Sequence, residues 1–372
     1  MMAIKGQIVY ISSIPWDYAW HRQQEMTSKM AEEGFEILFV QPCTKNPFKN
    51  TLVQQEKGIW LLSPSGLPYE RVLRCVNRFN ARVARKQILK AMDKIGFQNP
   101  IVWLDRVHGF DFKFFSKTAY VVYDLIDEIL AFGRIRNEKM LLSLENKVLK
   151  RADLLISSSK TLADRKLIQS RRLDQSYLFI PNGVDVQRFA VDATWEAVKD
   201  IPHPRIGFVG TISARRLNCE LLKEVIKRNP AWNFVFVGPQ DGTDIKAIFG
   251  ENVRIFDAVA GEKIPEVVAS FDVGIIPYNV DNATMDYVFP RKACEFLATG
   301  KPVVSTPLSE MKVFGDYAII ADTPLAFERG IQIALSQENQ EQNRRDYAKQ
   351  FDWEMLLKGI VSQLPEREER KR

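Results

Sequence analysis

The chain has 372 residues, 46% hydrophobic and 26% charged, the composition of a globular protein long enough for two domains of about 150 residues each. Its net charge of +6 is uneven, since residues 1–190 hold 29 Lys and Arg against 19 Asp and Glu, and residues 191–372 hold 23 against 27. No apolar run approaches the ~20 residues of a membrane span, and four scattered cysteines with three histidines argue against a zinc site.

The N-terminus, MMAIKGQIVYISSIPWD, runs straight into a strand without the form of a signal peptide, so a reducing cytosol is the expected compartment. Apolar β-branched runs then alternate with helical patterns, which predicts βα units and parallel sheets. The first strands are read at Gln7–Ser12, Phe35–Val40, Ile101–Leu104, Ala119–Tyr123, Leu154–Ser157 and Tyr177–Ile180. After the first comes Ser12–Gly34, a strand exit and helix with Trp16, Asp17, Trp20, His21 and Arg22. Trp16 and Trp20 either staple this loop to its helix or offer a stacking face.

Leu67–Gly96 reads as a helix with Arg71, Arg74, Arg78, Arg82 and Arg85 in one stripe, beside an apolar face of Val72, Val76, Phe79, Val83 and Ile88. Such a helix either binds an anionic membrane surface, at ~1 kcal/mol per cation, or packs on the core with its arginines solvated. His108 follows the strand at Ile101–Leu104. VVYDLIDEILAF (Val121–Phe132) sets Asp124, Asp127 and Glu128 just after a buried-type strand. Capping of the next helix accounts for one of these acids, not three. Asp127 or Asp124 is the expected general base, with His108 as rival.

The polar segment Phe189–Pro204 reads as a linker. A second series of strands follows, at Ile206–Gly210, Asn233–Gly238, Val253–Phe256, Asp272–Pro277, Pro302–Ser305 and Ala318–Ile320. The expected architecture is α/β, with Rossmann-like doubly wound domains at 1–190 and 204–345 facing a cleft. A C-terminal helical stretch is read at Asn339–Leu364, and the segment 346–372 is expected to pack back toward the first domain and end in a frayed tail, PEREERKR.

Two motifs in the second half suit a nucleotide. RIGFVGTISARR (Arg205–Arg216) is a strand, a Gly210-Thr211 turn that admits a ligand close to the backbone, and two arginines. FPRKACEFLATGKPVVST (Phe289–Thr306) is a loop and a helix whose first turn carries Arg291 and Lys292 beside the positive end of the helix dipole. Glu295, four residues after Arg291, is placed to accept hydrogen bonds from a ribose diol.

With IPNGVDVQRF (Ile180–Phe189) and VGPQDG plus FDAVAGEKIPEVVASFDVGIIPY, these motifs resemble, in order, the second domain of GT-B nucleotide-sugar glycosyltransferases, especially the bacterial enzymes of cell-surface polysaccharide synthesis, the teichuronic-acid and exopolysaccharide class. The resemblance implies a GT-B fold and transfer of a sugar from a nucleoside diphosphate to an acceptor hydroxyl. It puts Gly210 and Thr211 under the distal phosphates, with Arg215 or Arg216, Arg291 and Lys292 neutralising them. Glu295 would hold the ribose, and Gly238, Pro239 and Ala258 would line the base pocket. Many retaining members carry a second glutamate eight residues before the ribose glutamate. Tyr287 stands there, and is expected to pack on the sugar or ribose. In the first domain, Trp16 and Asp17 would meet an acceptor sugar, His21 and Arg22 a phosphate, and Glu128 the acceptor.

The chain has no D-x-D triplet, so leaving-group stabilisation by cations without a metal is expected, with no cofactor and a UDP-sugar as the expected donor. The acceptor is expected to be a lipid-linked or glycan intermediate, which with the arginine stripe places the protein peripherally at the inner face of the cell membrane. Alternatives on the same fold are a nucleotide-sugar epimerase and a non-catalytic nucleotide-sugar-binding scaffold. Nucleic acid is not an expected partner, because the arginine stripe lacks interleaved exposed aromatics.

Overall fold

The structure is a computed structural model that describes residues 5–18, 20–44, 46, 48–109, 111–114, 120–130, 137–170, 177–241, 250–281 and 285–365. The expected frayed tail, from residue 366 on, lies outside the described residues, as do Phe110, Ala119, Ala131, Phe132 and Gly242 of the segments above. The chain divides into two units, Met1–Ile180 with Leu357–Arg372, and Pro181–Leu356.

The first unit is built on β1 (Gly6–Ile11), β2 (Phe35–Val40), β3 (Thr51–Glu56), β4 (Ile59–Ser63), β5 (Ile101–Leu104), β6 (Val121–Leu125), β7 (Leu154–Ser157) and β8 (Tyr177–Phe179). They form one sheet in the order β3-β4-β2-β1-β5-β6-β7-β8. Every pair is parallel except β3–β4. Helices α1 (Arg22–Glu32), α2 (Arg74–Ile95), α3 (Glu138–Arg151) and α4 (Lys160–Ser170) connect them. Strands β1, β5 and β6 are buried along their whole length, as continuous apolar runs between two helical layers should be. The β3–β4 hairpin was not expected from sequence, because TLVQQE is a mostly exposed edge strand with no buried face to give it a pattern.

Helix α2 corrects two expectations. It starts at Arg74, so Arg71 lies before it and is not part of a helical stripe. Its buried face is Asn77, Asn80, Ala81, Ala84, Ile88 and Ala91, while Phe79 is 47% exposed. Small residues and hydrogen-bonded amides, which a hydropathy pattern does not flag, bring it onto the sheet. Asn80 closes the preceding loop, donating to the Leu67 carbonyl at 2.9 Å and accepting from its N–H at 2.8 Å.

The second unit holds β9 (Arg205–Val209), β10 (Asn233–Val237), β11 (Val253–Phe256), β12 (Val273–Ile276), β13 (Val303–Ser305) and β14 (Ala318–Ile320), all parallel in the order β11-β10-β9-β12-β13-β14. Its helices are α5 (Val186–Phe189), α6 (Cys219–Arg228), α7 (Ile264–Ala269), α8 (Arg291–Ala298), α9 (Pro324–Leu335), α10 (Glu341–Ala348) and α11 (Trp353–Val361), the last of which spans the division. The expected linker, Phe189–Pro204, is packed into this unit. Phe189, Val198 and Ile201 are buried, and the Arg205 side chain ties the segment down by donating to the Ile201 and Lys199 carbonyls.

The single C-terminal helix expected at Asn339–Leu364 is broken. A short turn at Lys349–Phe351 separates α10 from α11. There the backbone pairs with Val184 instead, accepting from its N–H at Phe351 and donating to its carbonyl from Trp353. Phe351 inserts among Phe289, Phe314 and Tyr347.

Candidate active site

In the second unit the strand order reverses at β9, whose neighbours are β10 on one side and β12 on the other. Parallel sheets of this kind bind ligands outside the carboxyl ends of the strands at such a switch point. Gly210 follows β9 there, at φ 144. A Cβ on Gly210 would collide with Lys292 Cε, so the lysine side chain lies directly across the glycine. Gly238, after β10 at φ 149, is held equally close, since its Cβ would collide with the Gly210 carbonyl oxygen. The two loops are laced by Gly210 N–H to Val237 O and Ile212 N–H to Pro239 O, both 2.9 Å. Lys292 Nζ lies 5.9 Å from the centre of the Tyr278 ring, which follows β12. An ammonium group is thus set over backbone at the switch point.

Lys292 reaches there from the first turn of α8. One residue before it, Arg291 Nε lies 2.9 Å from Glu295 Oε1, off the line needed for a hydrogen bond. Glu295 itself is 9% exposed, so a carboxylate and a guanidinium share one partly covered face of the helix. Arg215 and Arg216 are exposed on the turn after Ser213, whose hydroxyl accepts from the Arg215 N–H at 3.2 Å. Pro239 and Ala258 are exposed beyond β10 and β11, and Tyr287 is half-buried in the turn before α8. Gly210, Gly238 and Lys292 are therefore brought together, as are Arg291 and Glu295. Thr211 follows Gly210, half-buried.

In the first unit the sheet reverses at β1, between β2 and β5. Asp105, just past β5, stands at that point. It accepts from the Ser13 N–H at 2.6 Å and from Gln23 Nε2 at 2.8 Å. Burial pushes its carboxyl pKa up to about 7, opposed by the Gln23 hydrogen bond and Arg106 and helped by the nearby Asp124 charge. Sequence reasoning missed Asp105 and the adjacent Arg106, because their surroundings come from residues remote in sequence. The available signal was their position at a strand exit.

Several expected residues of this unit have other employment. Asp124 is 1% exposed and takes Arg22 Nη2 at 3.0 Å and Nε at 3.1 Å on its two oxygens. Arg22 also donates to the Ile180 carbonyl at 2.8 Å, so it is a buried tie between elements and not a cation waiting for phosphate. Glu128 is 7% exposed and pairs with Lys166 Nζ at 2.6 Å, so it belongs to the interior and not to an acceptor surface.

His108 accepts from Arg71 Nε at 3.1 Å on Nε2, the lone pair a base would use. Burial, then Arg106 and Arg71, push its imidazolium well below the ordinary range, so the ring is neutral. Trp16 is 8% exposed and packs edge-on against Phe39 and Trp20, so the exposed rings of its loop are Trp20 at 48% and Tyr18 at 61%. His21 stacks on Tyr18 at 5.7 Å, and Asp17 and Asp127 are exposed.

Among the described residues, no group of three His, Cys, Asp or Glu is arranged to hold a metal ion. Also among them, no helix is long and apolar enough to cross a membrane.

Known proteins resemble the chain in sequence and in fold. Residues 203–337 match the protein family described as Glycosyl transferases group 1. Over 247 residues the chain is 30% identical to TuaH of Bacillus subtilis, named a candidate teichuronic acid biosynthesis glycosyltransferase. That match covers 60% of this chain and only 59% of the relative's length. Sucrose-phosphate synthase from Thermosynechococcus elongatus superposes with a TM-score of 0.71 at 14% identity, over 96% of this chain and 98% of that one. HepE from Anabaena, solved in complex with UDP, gives 0.66 at 13% identity, over 96% and 98%. The two Rossmann-like sheets are the GT-B fold.

Proposed function

We propose that the protein is a glycosyltransferase that moves a sugar from a nucleoside diphosphate sugar to an acceptor hydroxyl in cell-surface glycan synthesis. The observation that carries this reading is Lys292 lying across Gly210 at the switch point of the second sheet, inside the segment that matches the glycosyltransferase family. Half-buried glycine backbone under a lysine is suited to a diphosphate, and the negative charge that develops on the leaving diphosphate strengthens that contact in the transition state. Arg291 and one of Arg215 or Arg216 add charge on the same side, without a metal. Glu295 takes the ribose hydroxyls, releasing Arg291 toward phosphate as it does so. Gly238, Pro239 and Ala258 border the base, and Tyr287 packs on the sugar or ribose. UDP is the donor nucleotide we favour, and the UDP complex of the structural neighbour HepE supports it.

The first unit supplies the acceptor side. Asp105, poised near neutrality, accepts the hydrogen bond of the reacting hydroxyl, whereas both oxygens of Asp124 are taken by Arg22. Asp127, exposed after β6, is the second candidate. Exposed Trp20 and Tyr18, with Asp17 and His21, flank the acceptor. A lipid-linked acceptor and attachment to an anionic membrane surface fit the cationic face of α2.

The test is a thermal-shift screen of UDP, GDP, dTDP and their sugars, first without added metal and then with EDTA. One nucleoside diphosphate should stabilise the protein in EDTA, and Glu295→Ala and Lys292→Ala should each abolish the shift. Turnover should then require acceptor, which an epimerase would not. A donor that binds only with added divalent metal would overturn the metal-free reading, and binding without any turnover would favour the scaffold.

A further inference from the structure

The first unit buries a cation that its surroundings leave unsatisfied. Arg106, two residues past β5, is 3% exposed, and its Nε and Nη1 are buried without a hydrogen-bond partner. A guanidinium cannot shed its proton, so burial unpaired is costly and calls for an anion.

None of the acids nearby hydrogen-bonds Arg106 Nε or Nη1. Glu70 accepts from Asn80 Nδ2 at 2.8 Å on one oxygen. Asp105 is held by Ser13 and Gln23, and near neutral pH it is only partly ionised, so it supplies less than a full counter-charge. A second guanidinium acts on the same place, since Arg71 feels the charge of Arg106 and both act on His108. Arg71 is exposed and uses only its Nε on His108, so the end of its fork remains toward solvent. In the same loop Tyr69 stands at φ 71 with its ring 70% exposed. A bulky residue is kept in that conformation only where the surroundings demand it, and an exposed ring is a ready surface for the face of a sugar.

We propose that Arg106, reached past Arg71, binds an anionic substituent of the acceptor, a phosphate or a carboxylate carried on a sugar stacked against Tyr69. This rests on the reading that the first unit is the acceptor side. Both anions fit a planar fork of N–H donors in the same way, so the geometry names the charge and the experiment must separate the two.

The experiment is isothermal titration of the full chain with glucose 6-phosphate, glucuronate and neutral glucose, with UDP titrated in parallel. At least one of the two sugar anions should bind while glucose does not. Whichever binds identifies phosphate or carboxylate. Arg106→Gln should weaken that binding at least tenfold, and Arg106→Lys should recover part of it. Arg71→Ala, which also removes the donor to His108 Nε2, should weaken it about threefold. UDP affinity should be unchanged in all three variants. Anion binding undiminished in Arg71→Ala and Arg106→Gln, or no anion binding by the wild type, overturns the proposal. Loss of UDP binding by the wild type strikes instead at the donor assignment and leaves the anion result to be read by itself.

Discussion

Asp105 and Lys292 occupy corresponding places in the two sheets, each at the point where strand order reverses, and each is an ionisable group set where a ligand should come. For Asp105 the charge state is itself the prediction. Its folded pKa, about 7, lies above the ordinary value near 3.9, so the folded chain holds this proton more tightly than the unfolded chain. Its contribution to stability is therefore full below about pH 4 and is lost as pH rises from there through about 7. Asp105→Asn removes the ionisation while keeping one oxygen for the Ser13 N–H. Denaturant unfolding should show the variant gaining on the wild type by on the order of 4 kcal/mol between acid pH and pH 8. Its transfer rate should fall by about a hundredfold and lose the rise with pH near neutrality. A parallel pH dependence of stability in variant and wild type would mean that Asp105 does not titrate there. Lys292 was legible in the sequence because a helix start carries a local signature. Asp105 was not, because the hydrogen bonds and burial that define it come from Ser13 and Gln23, 92 and 82 residues away in sequence.

Between elements, the heaviest polar commitment is Lys166. It is 1% exposed on α4 and pairs with Glu128, after β6, at 2.6 Å and with Glu145, on α3, at 2.7 Å. Tyr123 of β6 donates to Glu145 at 3.3 Å. Burial still raises Glu145 above the ordinary carboxylate range, with Lys166 opposing it. Lys166→Met would leave buried Glu145 without its cation, and Glu128 with only Arg165 at 3.9 Å, and should lower stability by about 3–5 kcal/mol at neutral pH. Glu145 would then titrate higher still, so the folded variant binds its proton more tightly and the deficit should shrink toward pH 5. Equal deficits at pH 5 and pH 8, read by denaturant unfolding, would show that the lysine is not what keeps the acids charged. In the bare sequence Glu128, an acid one turn from Asp124, looks like part of a site, and only the fold reveals the lysine that takes it. Strands with continuous apolar runs, such as IVWL and NFVFV, were legible because burial on both faces needs no partner to be recognised, whereas β6, expected at Ala119–Tyr123, runs on to take in Asp124. The β3–β4 edge, the amide-rich face of α2 and the break before Trp353 were not, since they depend on contacts that periodicity does not encode. At that break Asp352 starts the new helix, accepting from the Glu354 N–H at 2.8 Å.

Over the whole molecule the charge is divided, with the excess of cations in residues 1–190 and the excess of acids in the rest. The structure concentrates part of that excess in a groove of about 520 Å³ between α2 and α3 in the first unit. Arg74, Arg78, Arg82, Arg85, Lys86 and Lys147 line it, against Asp111 as its acid. Asp111 is already taken by Arg85, at 3.1 Å. A basic stripe is legible in the sequence. That α3 faces the stripe and makes it concave is not, and the concavity favours a headgroup held inside over a flat electrostatic contact. At ~1 kcal/mol per cation near an anionic bilayer, changing Arg74, Arg78 and Arg82 together to Gln should weaken binding to phosphatidylglycerol vesicles by about 3 kcal/mol, or roughly a hundredfold. The wild type should sediment with such vesicles at low salt, stay in solution with phosphatidylcholine vesicles, and be released near 1 M salt, where the Debye length falls to about 3 Å. UDP binding should be the same in the triple variant, because none of the three residues belongs to the second unit. Sedimentation that survives the triple change would assign the membrane contact to another surface. No sedimentation of the wild type at low salt would remove the membrane from the proposed function and leave a transferase that meets its acceptor in solution.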